Sequence, residues 1–172
     1  LKKKYKFFLV EDACHAFGSK YNINGSYYKV GSCKHADIST FSFHPLKTIT
    51  TGEGGLVVTN NKNFFKKIKI LRSHGFTYQK KYWTYDLCAS GLNYRMSDIN
   101  AALGCSQLKK INFFLKKRYQ IAERYSSGLK NLKNVTLPEL QKYSSWHLYI
   151  VRIDFEKIGI LKNILIKKLN LL

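Results

Sequence analysis

The sequence predicts an α/β fold, and three observations carry the prediction. Short apolar runs alternate with amphipathic helical patterns. The first run ends in a carboxylate pair, Glu11-Asp12, at the strand end where open α/β sheets present their ligands. The next two runs are sharply punctuated, one by His44-Pro45 and the other by a cluster of glycines.

Taken in order, Lys6–Val10 (KFFLV) reads as a buried strand and Ala36–Phe43 (ADISTFSF) as a second. Leu56–Thr59 (LVVT) is a third, entered through the Gly52, Gly54, Gly55 turn. Asn63–Ser73 places Phe64, Ile68 and Leu71 at helical spacing with lysines between them, and His74-Gly75 ends it. Lys80–Gly91 has no clean period and is expected to be loop. Ser97 can cap the longest helical pattern, in which Leu108, Ile111, Leu115, Tyr119 and Ala122 recur at three- and four-residue steps. That pattern fades at Ser126-Ser127-Gly128. Trp146–Ile153 (WHLYIVRI) reads as a strand and Ile158–Leu172 as a further amphipathic helix. The stretch from Ser126 to Pro138 is the expected boundary, with residues 1–126 in a large α/β domain and 127–172 opening a second, smaller one.

Bulk properties narrow the class. Hydrophobic residues at 45% and aromatics at 15% supply a core and argue against a disordered chain. No apolar stretch reaches the roughly 18 residues of a membrane helix, and the opening Leu1-Lys2-Lys3-Lys4 is not expected to be a signal peptide. Cys14, Cys33, Cys88 and Cys105 form neither a C-x-x-C pair nor a zinc-ligand spacing, so no metal site is expected and a reducing, cytoplasmic compartment fits. Thirty basic against ten acidic residues give a net charge of +20, the footprint of a polyanion binder. Only five of the thirty are arginine, the residue suited to bidentate phosphate or base contacts, and the lysines are spread along the chain. A lysine-rich composition on solvated helix faces therefore outweighs dedicated nucleic-acid binding. A non-catalytic basic fragment that holds nucleic acid or another polyanion is kept as the rival. The chain starts and stops inside apolar, structured-looking sequence and is expected to be a fragment of a longer protein.

Three clusters can carry chemistry. The first, residues 11–18 (EDACHAFG), puts Asp12 among small residues at a strand end; the plain alternative is a turn cap. The second, residues 41–55 (FSFHPLKTITTGEGG), isolates Lys47 among hydroxyl, aromatic and glycine residues. Such a lysine suits Schiff-base chemistry, and Ser42, Thr48, Thr50 and Thr51 are candidate phosphate ligands, although no Walker loop is present. The third, residues 91–102 (GLNYRMSDINAA), places Asn93 and Arg95 just before a helix start, where an anion can be met.

In order and wording the three clusters resemble the DegT/StrS-type sugar aminotransferases, pyridoxal-phosphate (PLP) enzymes of the aspartate-aminotransferase fold. Their pattern is E-D-A-x-[QH]-A-x-G, then F-S-F-x-x-x-K with T-G-E-G-G behind it, then G-x-N-x-R-M-x-D-x-x-A-A. The wording FSFHPLKTITTGEGG is most similar to the subgroup that aminates UDP-linked 4-keto-6-deoxy-N-acetylhexosamines on the way to pseudaminic acid, a surface-glycan sugar. The resemblance implies a fold-type I transferase, of which this chain holds part of the three-layer large domain and the start of the small C-terminal domain. It implies Lys47 as the Schiff-base and proton-transfer lysine and Asp12 as partner of the pyridinium nitrogen. It places His15 beside the cofactor's phenolic oxygen and Ser42 at its phosphate. It implies that Asn93 reaches the cofactor of a neighbouring subunit, so that a homodimer shares its active sites, with Arg95 near the same site and His147 towards the nucleotide-sugar. Glutamate is the implied amino donor and the UDP-4-keto-6-deoxy sugar the acceptor. Relatives lacking the lysine dehydrate or deoxygenate, so the presence of Lys47 favours transamination.

Overall fold

The protein is described by a computed structural model covering residues 1–78 and 84–171. One helical turn, α1 (Lys2–Tyr5), closes on Lys6 in the left-handed region and leads to β1 (Val10–Asp12). Next comes the antiparallel hairpin of β2 (Lys20–Ile23) and β3 (Ser26–Lys29). Its two-residue turn, Asn24-Gly25, has positive φ at both positions, which matches the right-handed twist of the strands. β4 (Ile38–Ser42) and β5 (Gly55–Val58) bracket the Lys47 turn. α2 (Lys62–Leu71) begins where the Asn61 side chain accepts from the N–H groups of Asn63 and Phe64. β6 (Phe76–Tyr78) pairs antiparallel with β7 (Tyr85–Leu87). α3 (Asp98–Leu108), capped by Ser97, and α4 (Ile111–Leu129) follow. β8 (Val135–Thr136) pairs with β9 (Arg152–Ile153), and α5 (Phe155–Ile158) and α6 (Lys162–Leu169) end the described chain.

The central sheet has the order β1-β4-β5 and is mixed. β1 runs parallel to β4, with Asp12 opposite Thr40, and β5 returns antiparallel, with Gly55 opposite Ser42. The core sits beneath this sheet's functional end. Ala13, Phe41, Phe43 and Ile49 are buried together, with Phe17 packed edge-on against Phe41 at 5.2 Å and Phe43 at 5.4 Å. Each buried phenylalanine contributes about 2 kcal/mol by area, so this cluster anchors both the Asp12 turn and the Lys47 turn. Gly31 makes the packing possible: a Cβ there would lie 2.4 Å from the Phe41 ring, and φ is +80°.

The structure revises several expectations. The first strand starts at Val10, and Phe8 and Val10 are 77% and 59% exposed, not buried. β1 is the edge of the sheet among the described residues, so burial on one side is missing. The loop expected over residues 80–91 holds β7, while residues 79–83 lie outside the described residues. The long helix is two helices separated at Lys109-Lys110, and the second runs through Ser126-Ser127-Gly128 to Leu129. Of the strand expected at 146–153 only Arg152–Ile153 forms. The last helix is split at Gly159, left-handed at φ 65°, and Leu172 lies outside the described residues. The mixed α/β class stands.

Candidate active site

The end of β1 delivers Asp12 to the open end of the sheet, and the backbone turns at once. Ala13 N–H donates to the Thr40 carbonyl at 2.9 Å, and Ala16 and Ser19 close successive turns. Asp12 is exposed, and its Oδ1 accepts from Cys14 N–H at 3.1 Å. The Cys14 thiol and N–H hold the Asp12 carboxyl below the usual carboxylate range, with His15 and Lys47 adding positive charge nearby. The same bond and partial burial push the Cys14 thiol up. Asp12 is thus an ionised carboxylate with oxygen lone pairs still open to a ligand.

Lys47 is half-buried in the connection between β4 and β5, in a turn closed by Lys47 N–H to the His44 carbonyl at 2.9 Å. The hydroxyls around it are largely committed to the loop itself. Thr50 Oγ1 donates to the Phe43 carbonyl at 2.9 Å and accepts from Gly52 N–H, and Thr51 Oγ1 donates to the Glu53 carbonyl. Thr48 is buried. Thr50 and Thr51 thus spend their hydroxyl protons on the loop itself. Ser42 Oγ, half-buried at the end of β4, accepts from His44 N–H at 3.3 Å and keeps its own proton to donate. Asn100 of α3 braces the far side of this connection by donating to the Thr51 and Glu53 carbonyls.

A third segment reaches the same place from far along the chain. Ser145, 1% exposed, donates from Oγ to the His15 carbonyl at 2.6 Å, and its N–H donates to Ser19 Oγ at 2.8 Å. This brings the His147 ring to 4.3 Å from the His15 ring. Burial lowers the His147 pKa from its usual 6.5, and His15, Lys47 and Arg118 reinforce the shift. His147 is therefore neutral at pH 7, and its Nδ1 is buried without a hydrogen-bond partner. Arg118 of α4 completes the group: it donates to the Trp146 carbonyl at 3.2 Å and lies 3.5 Å from the Lys47 carbonyl. Sequence reasoning missed Arg118, because an arginine beside Lys116 and Lys117 reads as part of a solvated helix face.

Asp12, His15, Lys47 and His147 are thus brought together, with Ser42 on the same β4–β5 connection. Asn93 and Arg95 are not joined to them by any hydrogen bond, ring contact or ion pair among the described residues. Both are exposed, on a segment bonded to the end of α2 through Leu92 N–H to the Leu71 carbonyl and an isolated bridge between Ser73 and Asn93.

Comparison with known proteins gives these residues a context. Residues 1–171 match the family described as DegT/DnrJ/EryC1/StrS aminotransferase. Over 151 residues, 87% of this chain, it is 47% identical to a UDP-4-amino-4,6-dideoxy-N-acetyl-beta-L-altrosamine transaminase from Campylobacter jejuni, of which it covers 38%. Among solved structures it is similar to Helicobacter pylori PseC, an aminotransferase involved in the biosynthesis of pseudoaminic acid. That match has TM-score 0.88 and 37% identity, and covers 98% of this chain and 44% of the other. It is also similar to a sugar aminotransferase of Streptococcus pneumoniae in its PLP form, at TM-score 0.79 and 31% identity over 98% of this chain and 43% of that one. The chain spans less than half the length of these relatives. With the family pattern matched over residues 1–171, and with the charge of Lys47 acting on Asp12, the chain belongs to the DegT/DnrJ/EryC1/StrS aminotransferase family.

Proposed function

We propose that this chain is the central part of a PLP-dependent nucleotide-sugar aminotransferase that moves the amino group of glutamate to the 4-keto carbon of a UDP-linked 4-keto-6-deoxy-N-acetylhexosamine. The observation that carries the reading is the convergence of an ionised Asp12, a half-buried Lys47 and the orphaned Nδ1 of His147. The relatives' names supply the substrate: one acts on a UDP-4-amino-4,6-dideoxy sugar and another serves pseudoaminic acid biosynthesis.

The residues present fit PLP. Asp12 offers a free carboxylate oxygen, held ionised, to a protonated ring nitrogen. Ser42 Oγ has a proton to give to a phosphate oxygen, and Lys47 supplies a primary amine within the field of Asp12. When bound, PLP supplies an electron sink for the carbanion at the substrate carbon. Lys47 Nζ takes the proton from Cα of the amino donor and delivers it within the same site. The His15 and His147 rings lie beside this point, tilted at 52° to each other, and the neutral His147 can accept a hydrogen bond from the sugar nucleotide. The +20 charge favours approach of a diphosphate-bearing substrate.

This reading makes the molecule a fold-type I transferase with a large domain to about residue 126 and a small domain beyond it. It also makes the exposed Asn93 and Arg95 contributions to the site of a second subunit in a homodimer. The whole protein, loaded with PLP, should convert a UDP-4-keto-6-deoxy-N-acetylhexosamine to its 4-amino product when glutamate is added. Protein that binds no PLP when it is supplied, fails this assay and is retained on nucleic acid at near-physiological salt would instead favour a polyanion-binding fragment.

A further inference from the structure

Arg118 stands on α4, far in sequence from both carbonyls it meets. One belongs to Lys47 itself, the other to Trp146, the residue before His147. No other hydrogen bond reaches either carbonyl among the described residues. The Trp146 backbone is unusual: φ is +47°, a left-handed conformation that costs a bulky side chain on the order of 1–3 kcal/mol. Such a conformation persists only where its surroundings over-determine it. Trp146 N–H donates to Ser144 Oγ at 3.2 Å, its indole N–H donates to the Gln141 carbonyl at 3.0 Å, and Arg118 takes its carbonyl. The left-handed residue sets the direction in which the chain leaves towards His147, whose buried Nδ1 has no hydrogen-bond partner. α4 is fastened to the same segment a second time by Ser126 Oγ and the Tyr149 hydroxyl, 2.9 Å apart.

We infer that Arg118 is a positioning residue that couples the Lys47 turn to the strained Trp146–His147 segment, so that the amine and the imidazole keep one mutual geometry. A guanidinium does this through donors in a fixed fork, which can serve two carbonyls at once. An ammonium on a flexible stem reaches one of them well and the other poorly. Arg118 itself touches no reacting atom. The inference rests on the aminotransferase reading above, because that reading gives Lys47 and His147 their work.

The test uses the whole protein and compares wild type with Arg118→Gln, Arg118→Lys and, as a control, Arg124→Gln at an exposed position of the same helix. Three quantities are read: the melting temperature, the rate at which borohydride fixes PLP on the Lys47 peptide, and kcat and KM for the amino acceptor. Loosening the geometry by about 1 Å costs about 100-fold in rate. Arg118→Gln should therefore slow fixation and lower kcat/KM for the acceptor by about that much while its melting transition remains. Arg118→Lys should recover part of the loss, and Arg124→Gln should match wild type. If Arg118→Gln proves unfolded, Arg118→Lys carries the test alone, with a deficit expected in fixation rate at an unchanged melting temperature. Wild-type fixation and kcat/KM in a folded Arg118 variant would overturn the inference and leave the aminotransferase reading standing. A wild-type protein that fixes no PLP on Lys47 would overturn both.

Discussion

The Lys47 connection and the Asn93 segment both carry motif residues, yet the fold treats them oppositely. Residues 41–55 are wired inward: Phe41, Phe43 and Ile49 are buried, Thr50 and Thr51 bond their own loop, and Asn100 and Arg118 brace it from two helices. Residues 92–96 are presented outward. Leu92, Tyr94 and Met96 are 57%, 72% and 36% exposed, a concentration of apolar surface unusual for a free face. On the proposed reading the contrast is that of a site built in two halves, one preorganised within the chain and one offered to a neighbour.

The sharpest way to break that comparison is to separate the halves genetically. In the whole protein, Lys47→Ala should lower turnover about 10,000-fold, because Lys47 is the amine whose charge acts on Asp12 among the described residues. Asn93→Ala should lower it about 100-fold, the scale for losing one positioned contact. Mixed and reassembled, the two inactive proteins should regain about one quarter of wild-type activity, since half the dimers are hybrids and each hybrid has one intact site. No regain on mixing would place Asn93 in the same subunit's site, or outside the site altogether.

A smaller effect is expected at His147, which belongs to the inward half although it arrives from far along the chain. His147→Gln should raise KM for the nucleotide-sugar about 10-fold with a lesser change in kcat. Its titration has a definite sign. Because the folded-state pKa lies below 6.5, the unfolded chain takes up the proton first as pH falls, and the native state loses stability below that point. Glutamine cannot titrate. The melting-temperature advantage of wild type over His147→Gln should therefore shrink from pH 8 to pH 5; an advantage constant across that range would contradict the burial argument.

A change in stability rather than in turnover is expected at the floor under the inward half. Gly31→Ala puts a Cβ into the Phe41 ring at positive φ and should cost about 2 kcal/mol, read as a fall of several degrees in melting temperature. A neutral substitution would mean that Phe41 can move without consequence and that the core does not anchor the turn.

What could be read beforehand follows the same division. β4, β5 and α2 were legible because their signals are local: a mix of β-branched and aromatic residues, a glycine turn, and apolar residues at helical spacing with lysines between them. The three motif clusters were legible as chemistry because Asp12 and Lys47 stand apart from the lysine-rich faces. The break at Lys109-Lys110 was invisible, since both residues favour helix. The run 146–153 looked like a strand by composition, but Arg118 and Ser144 hold the Trp146 backbone, and the preceding Ser145 is tied to the His15 carbonyl across a separation of 130 residues. Long-range contacts of this kind also hid Arg118 and the His15–His147 pairing, since no local pattern encodes a partner so distant in the chain.

The central claim is that Lys47 and Asp12 form one cofactor-binding half-site, and reduction with borohydride tests it most directly. The whole protein is incubated with PLP, reduced and digested, and the modified peptide is identified by mass, in wild type and in Asp12→Ala. The account predicts one modified peptide, carrying Lys47, and a sharp loss of that adduct at limiting PLP when Asp12 is replaced. Modification of a different lysine, or equal modification with and without Asp12, would contradict it.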